Sequence, residues 1–271
     1  SILQGAVVLT SLAALALDPG LIGGPWLPHL YYVAFALLIA SGASAAAGRL
    51  ASLPVFIFAG CMLVHGHIAF TSFVGVATIA VLITLWRRGQ LRELVGERRT
   101  LLWISLGIVA AFAAPIVVYT LRDWPGEFGL YLRFLRDPDT GRNGLGDSIR
   151  YTMQFWPGSS TLGRVALAAG ACGSLLAASI WRRSGFGAAI LGGAVLMELC
   201  LLQYAISGVD DLTYRYAGIW AYALPGLVIG VALALVLPAW LTRPTNWIGW
   251  VCIGALVAVG AIAVVRTPAL D

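Results

Sequence analysis

His65-Gly66-His67 puts two of the chain's three histidines around a glycine, near the middle of an apolar stretch from Leu53 to Trp86. Imidazole at such a place can contact a phosphate, pass a proton or ligate a metal, because its charge is tunable near neutral pH. A metal site needs further ligands, which His-x-His alone does not supply. The plainer alternative is an interfacial histidine hydrogen-bonded to backbone freed by a helix break. Asp210-Asp211 with Tyr214-Arg215-Tyr216 forms a second polar knot. Paired carboxylates can act as general base or metal ligand, since two close charges raise the pKa of one of them. The same residues also read as a solvated loop in which Arg215 pairs with Asp211.

Glu198 lies in the middle of an apolar segment, Leu196-Met197-Glu198-Leu199-Cys200. Ionisation there is costly unless the group is paired or faces water, so it is either a functional acid or an acid bonded to a neighbouring helix. Arg142-Asn143 and Arg150 stand beside a segment of helical spacing, and guanidinium grips phosphate oxygens bidentately. Arg164, at the start of a crossing, can snorkel to headgroups or bind a phosphate. The four cysteines stand singly within apolar segments and read as small packing residues.

The elements that must position these groups are membrane helices. Hydrophobic residues make up 60% of the chain and charged ones 11%, and the mean hydropathy is +0.89. That composition excludes a soluble domain. All 17 basic residues are Arg, which we read first as the mark of a GC-rich genome. The net charge of +5 is spread over loops, so lipid headgroups rather than nucleic acid are the expected partners.

A bilayer core takes roughly 20 apolar residues of helix. Leu53 to Trp86 is therefore two crossings, about Leu53 to Val64 and Ile68 to Trp86, joined by the histidine turn. The first of them is short, as a helix ending at a cavity would be. Other crossings are expected at about Ser1 to Leu17, His29 to Ala47, Leu101 to Thr120, Leu162 to Trp181, Phe186 to Ser207, Tyr216 to Trp240 and Trp247 to Val265. Trp26, His29, Tyr31 and Tyr32 gather where the second crossing starts, an interface signature. The expected fold is thus all-α, a single polytopic transmembrane bundle over residues 1–271 with about nine membrane segments.

Arg-rich short loops at Arg49, at 87–100, at Arg182-Arg183 and at Arg243 fall on one side, which the positive-inside rule makes cytoplasmic. The long loop, residues 121–158, is then extracytoplasmic, with the histidine turn and the Asp210-Asp211 knot. Within that loop Ile149, Met153 and Trp156 recur at helical spacing, with Tyr151 and Phe155 widening the apolar side. We read an amphipathic helix lying in the interface. The Asp137-Pro138-Asp139 run before it is a turn.

A pair of crossings with an outward His turn (Val64 to His67), an Arg-rich inner loop (Trp86-Arg87-Arg88) and an outer loop with Asn143 before an interfacial helix resembles the GT-C class of membrane glycosyltransferases. The layout is most similar to bacterial members related to protein mannosyltransferases and lipid A aminoarabinose transferases. The Asp210-Asp211 knot and the crossing with Trp220, Tyr222 and Pro225 fit it loosely. All-Arg usage suggests an actinobacterial member. The resemblance implies a plasma-membrane enzyme that transfers a sugar from a polyprenyl-phosphate donor to an extracytoplasmic acceptor by inverting displacement. His65, His67, Arg142, Arg150, Asp210, Asp211 and Arg215 are the expected donor or acceptor contacts, with no cofactor and no metal. The class carries its acidic residue in the first outer loop. We expect that residue to precede Ser1, in a longer protein or a partner subunit, and do not assign its role to Asp18. The competing readings are a transporter or flippase using Glu198, and a non-catalytic subunit that positions lipid or partners.

Overall fold

The computed structural model describes residues 27–126, 129 and 142–236. Among them every regular element is helical. Five helical segments are long and apolar enough to cross a membrane: Phe70–Arg87, Arg99–Arg122, Thr161–Trp181, Gly185–Ser207 and Arg215–Leu235. The expected crossings at 1–17 and 247–265, Arg243, the Trp26 linker and the 137–139 turn lie outside the described residues.

Helix α1, Leu27–Ala46, is the hub of the bundle: the helices Leu53–Gly66, Phe70–Arg87, Gly185–Ser207 and Ala223–Val236 and the 3-10 helices Leu50–Ser52 and Arg215–Tyr222 all pack on it. Its small residues explain this. Ser41, Ala43 and Ser44 are buried, and a Cβ at Gly42 would stand 3.1 Å from the Phe56 ring, so the neighbouring backbone comes close. Two hydroxyls on this face are satisfied internally: Ser41 donates to the Leu37 carbonyl, and Ser52 donates to Ser44 at 2.7 Å.

The long apolar stretch is a helical hairpin. Helix α2, Leu53–Gly66, starts with Pro54 in its first turn, where a missing N–H costs nothing. It stops at His67, whose backbone is extended, and helix α3 runs Phe70–Arg87. Gly89, at φ +71, turns the chain into the short α4, Gln90–Gly96, so the Arg-rich loop is partly helical. Arg98 closes it with a 2.9 Å ion pair to Glu93. Helix α5, Arg99–Arg122, buries none of its residues and leans on α2 through Phe112, whose ring centroid is 5.8 Å from that of Phe58.

After the long loop come α6 (Leu145–Met153), α7 (Thr161–Trp181) and α8 (Gly185–Ser207). Ser160 and Ser184 cap the latter two, each hydroxyl accepting the backbone N–H three residues on at 3.1 Å. Helix α6 differs from expectation in its buried face, which is Ser148, Tyr151 and Thr152, continued by Phe155 and Trp156, while Ile149 is exposed. Two hydroxyls enter the packed side because each bonds a carbonyl four residues back, Ser148 to Gly144 and Thr152 to Ser148.

The last described crossing also departs from a simple lipid-facing helix. Residues Arg215–Tyr222 form a 3-10 helix that becomes α9, Ala223–Val236, and this stretch is mostly buried inside the protein. Pro225 has no N–H to give the Ala221 carbonyl, and the Ala223 N–H reaches back to the Trp220 and Ala221 carbonyls instead.

The ends of these helices sort into two groups. Gln90 donates to the Gly48 carbonyl at 3.4 Å and Arg182 to the Leu235 carbonyl at 2.9 Å, which gathers the ends of α1, α3, α7 and α9 with their arginines. The histidine turn, the start of α1, the end of α8 and the 3-10 helix meet at the opposite end.

Candidate functional site

At the histidine end lies a cavity of about 410 Å³ where α1, the α2–α3 turn, the end of α8 and the 3-10 helix converge. Its floor is aromatic. The Trp220 ring stands 4.5, 5.0 and 4.9 Å from those of Phe35, Phe70 and Phe73, so α1 and α3 meet on one indole. Tyr31, Tyr204, Tyr214 and Tyr216 line the walls.

The rim is polar and fixed by backbone chemistry. Tyr31 donates to the Gly66 carbonyl at 2.8 Å, which caps the end of α2 and pins the histidine turn to α1. A Cβ at Gly66 would run into the Tyr31 ring, so the contact requires glycine there. His67 Nδ1 accepts the Ala69 N–H at 3.2 Å. In the neutral ring a nitrogen that accepts leaves the proton on Nε2, and His67 is among the residues that line the cavity.

On the opposite rim, Asn143 holds the end of α8. Its N–H donates to the Ile206 carbonyl at 3.0 Å, and Nδ2 donates to Ala205 at 2.9 Å and Val209 at 2.7 Å. Helix-terminal carbonyls otherwise lack partners, so one side chain closes α8 and sets the turn that follows. That turn carries Asp210 and Asp211 into the cavity lining. Asp211 accepts the Thr213 N–H at 2.8 Å, and this bond, with one from the Thr213 hydroxyl, holds its carboxyl below the usual carboxylate range.

Three of the residues expected from sequence, His67, Asp210 and Asp211, therefore share one cavity. The others stand elsewhere. His65 diverges from His67, with its ring centroid 5.9 Å from that of Phe112, and lines a separate apolar cavity of about 280 Å³ between α2, α3 and α5. Arg215 lays its guanidinium over the Tyr222 ring, 5.6 Å from the centroid, and bonds the Tyr222 hydroxyl; it makes no ion pair with Asp211. Arg142 is exposed beside Asn143, and Arg150 is exposed and paired with Asp147 at 3.0 Å. Arg164 bonds the Gly158 carbonyl at 2.9 Å. Glu198 accepts the Trp156 indole N–H at 2.9 Å, which makes it an acid bonded to the segment after α6. Among the described residues no group of three His, Cys, Asp or Glu stands together as a metal site would require.

Helix α6 backs the site. Tyr151 and Phe155 pack edge to face at 5.4 Å, and a Cβ at Gly218 would fall 2.6 Å from the Phe155 ring. Burial pushes the Tyr151 phenol up, so it remains a neutral hydroxyl. Tyr31, Tyr204 and Trp220 are the lining residues the sequence did not single out as site groups. The aromatic cluster at the start of the second crossing was the available signal for Tyr31, but it reads equally as a headgroup marker.

The cavity thus pairs two carboxylates and one imidazole N–H with an aromatic floor and four phenols. This chemistry suits a ligand with hydroxyls on its edge and an apolar face. Comparison with known protein families, curated proteins and solved structures finds no match to this chain.

Proposed function

We propose that this chain is a plasma-membrane glycosyltransferase with the GT-C layout, and that the cavity at its histidine end holds the sugar of a polyprenyl-phosphate donor. The observation that carries the reading is the meeting of Asp210, Asp211 and His67 over the Trp220 floor. A pyranose offers hydroxyls to carboxylates and C–H faces to aromatic rings. The His67 Nε2–H is a donor for the leaving phosphate, the kind of group that stabilises charge developing in the transition state. Asp210, on the rim of the cavity, is the carboxylate available to take the acceptor's proton. The exposed Arg142 supplies a second phosphate contact at the same end.

The orientation follows from charge. Arg49, Arg87, Arg88, Arg92, Arg182 and Arg183 crowd the opposite end, so that end is cytoplasmic by the positive-inside rule and the cavity is extracytoplasmic. Completed by the crossings expected at 1–17 and 247–265, the bundle has about nine segments. Helix α6 then lies at the outer interface, its exposed Ile149 side toward lipid.

Retention of sugar-labelled polyprenyl-phosphate mannose or aminoarabinose by the full chain in nanodiscs tests this. The expected result is saturable binding that falls about tenfold in Asp210→Asn/Asp211→Asn, the loss of one or two charge-assisted hydrogen bonds. No retention of either donor, or equal retention by the double variant, overturns the proposal.

A further inference from the structure

A second cavity, of about 330 Å³, lies between α1, α3 and α8 and reaches the arginine end. Its walls are almost wholly apolar, with Gly42, Ala77, Ala80, Gly192 and Met197 among them. From Gly185 to Met197 the groove follows α8 for about 18 Å at 1.5 Å per residue. That is close to half of a hydrocarbon core of about 30 Å, the depth of one leaflet.

The mouth is cationic. Arg88 lines it, and its guanidinium nitrogens lie 3.9 Å from where a Cβ of Gly48 would be and 3.8 Å from that of Gly185. Arg88 thus bridges the end of α1 and the start of α8. Among the described residues it makes no ion pair, since the acid in the adjoining α4, Glu93, is held by Arg98. The start of α8, a helix of 23 residues, adds the positive end of its dipole at the same point. Arg49, next to Gly48 in sequence, and Arg182 and Arg183, just before Gly185, stand at neighbouring helix ends and carry the same sign.

We propose that this groove binds one acyl chain of an anionic phospholipid from the leaflet at the arginine end, with Arg88 on its phosphate. The depth fits a single leaflet, the walls fit a chain, and the charge fits an anionic headgroup. The site is separate from the sugar cavity in place, ligand and charge, and it stands whether or not the chain is a transferase.

Native mass spectrometry of the full chain released from detergent, with phosphatidylglycerol or phosphatidylcholine added, reads the site directly. Phosphatidylglycerol adducts are expected on the wild type in excess of phosphatidylcholine adducts. Arg88→Gln should reduce them about fivefold, the effect of one arginine near a lipid phosphate. Arg87→Gln, one residue away and outside the groove, should leave them unchanged. Gly192→Leu fills the groove from a position where a Cβ meets nothing within 4 Å, so it should expel the chain without disturbing the fold. Equal adducts on wild type and Arg88→Gln, equal loss in Arg87→Gln, or full retention by Gly192→Leu would each overturn the proposal.

Discussion

Asn143 shows how much a single side chain sets at the candidate site. Its backbone N–H and side-chain amide join the end of the long loop to the Ile206 and Ala205 carbonyls in the last turn of α8 and to the Val209 carbonyl just beyond it, across more than sixty residues of sequence. Replacing it by Ala leaves two of those carbonyls without a partner in a half-buried place. The expected cost is about 2 kcal/mol, the range for stranded buried polar groups. Arg142→Ala, next in sequence but exposed and without a partner among the described residues, should shift stability by no more than about 0.5 kcal/mol. Tryptophan-monitored unfolding in detergent separates the two. Equal effects would mean that the clamp does not hold α8. In sequence Asn143 is visible only as a polar residue before a helix, because the carbonyls it meets are fixed by tertiary packing. The histidines carry the same lesson: a His-x-His turn is plain to read, but the divergence of the two rings depends on where Phe112 and Tyr31 stand.

Among the elements, the hairpin was legible nearly to the residue. Leu53 to Trp86 is too long for one crossing and contains Gly66, and α2 and α3 begin and end close to the expected points. What could not be read is which face each helix buries. When nearly every residue is apolar, the amphipathic period that identifies a core face disappears. Hence the 215–235 segment gave no sign that it is enclosed by its neighbours, whereas in α6, short and polar, the expected apolar residues Tyr151, Phe155 and Trp156 are buried and only Ile149 turns outward. Close approach at Gly218 is the local cause of that enclosure. Gly218→Ala would drive a methyl into Phe155, which is 1% exposed and has nowhere to move, at a cost of about 1–3 kcal/mol. Gly170→Ala in α7 adds the same methyl where nothing lies within 4 Å, and should unfold at no lower temperature than the wild type. The pair of melting curves checks whether the 3-10 segment is packed against α6.

For the molecule as a whole, burial and charge divide it in different ways. Helix α5 buries none of its residues, whereas the 215–235 segment is mostly enclosed, so the bundle is packed on one side and open to the surrounding apolar phase on the other. Charge divides it along the perpendicular direction, with arginines massed at one end and the acidic, aromatic cavity at the other. In a bilayer the second division is the basis of the proposed orientation, because short loops rich in Arg favour the cytoplasmic side. Two glycines allow this to be measured without disturbing the fold: a side chain at Gly96, on the arginine end, meets nothing within 4 Å, and one at Gly144, on the cavity end, meets only the Asp147 carboxylate at 3.7 Å. In intact cells a membrane-impermeant maleimide should label Gly144→Cys, while Gly96→Cys should react only after the membrane is opened. Of the four native cysteines, Cys61, Cys172 and Cys200 lie within apolar helices, and with Cys252 they set the background on the parent chain. The reverse pattern would put the His67–Asp211 cavity on the cytoplasmic side, out of reach of the extracytoplasmic polyprenyl-phosphate donor proposed for it.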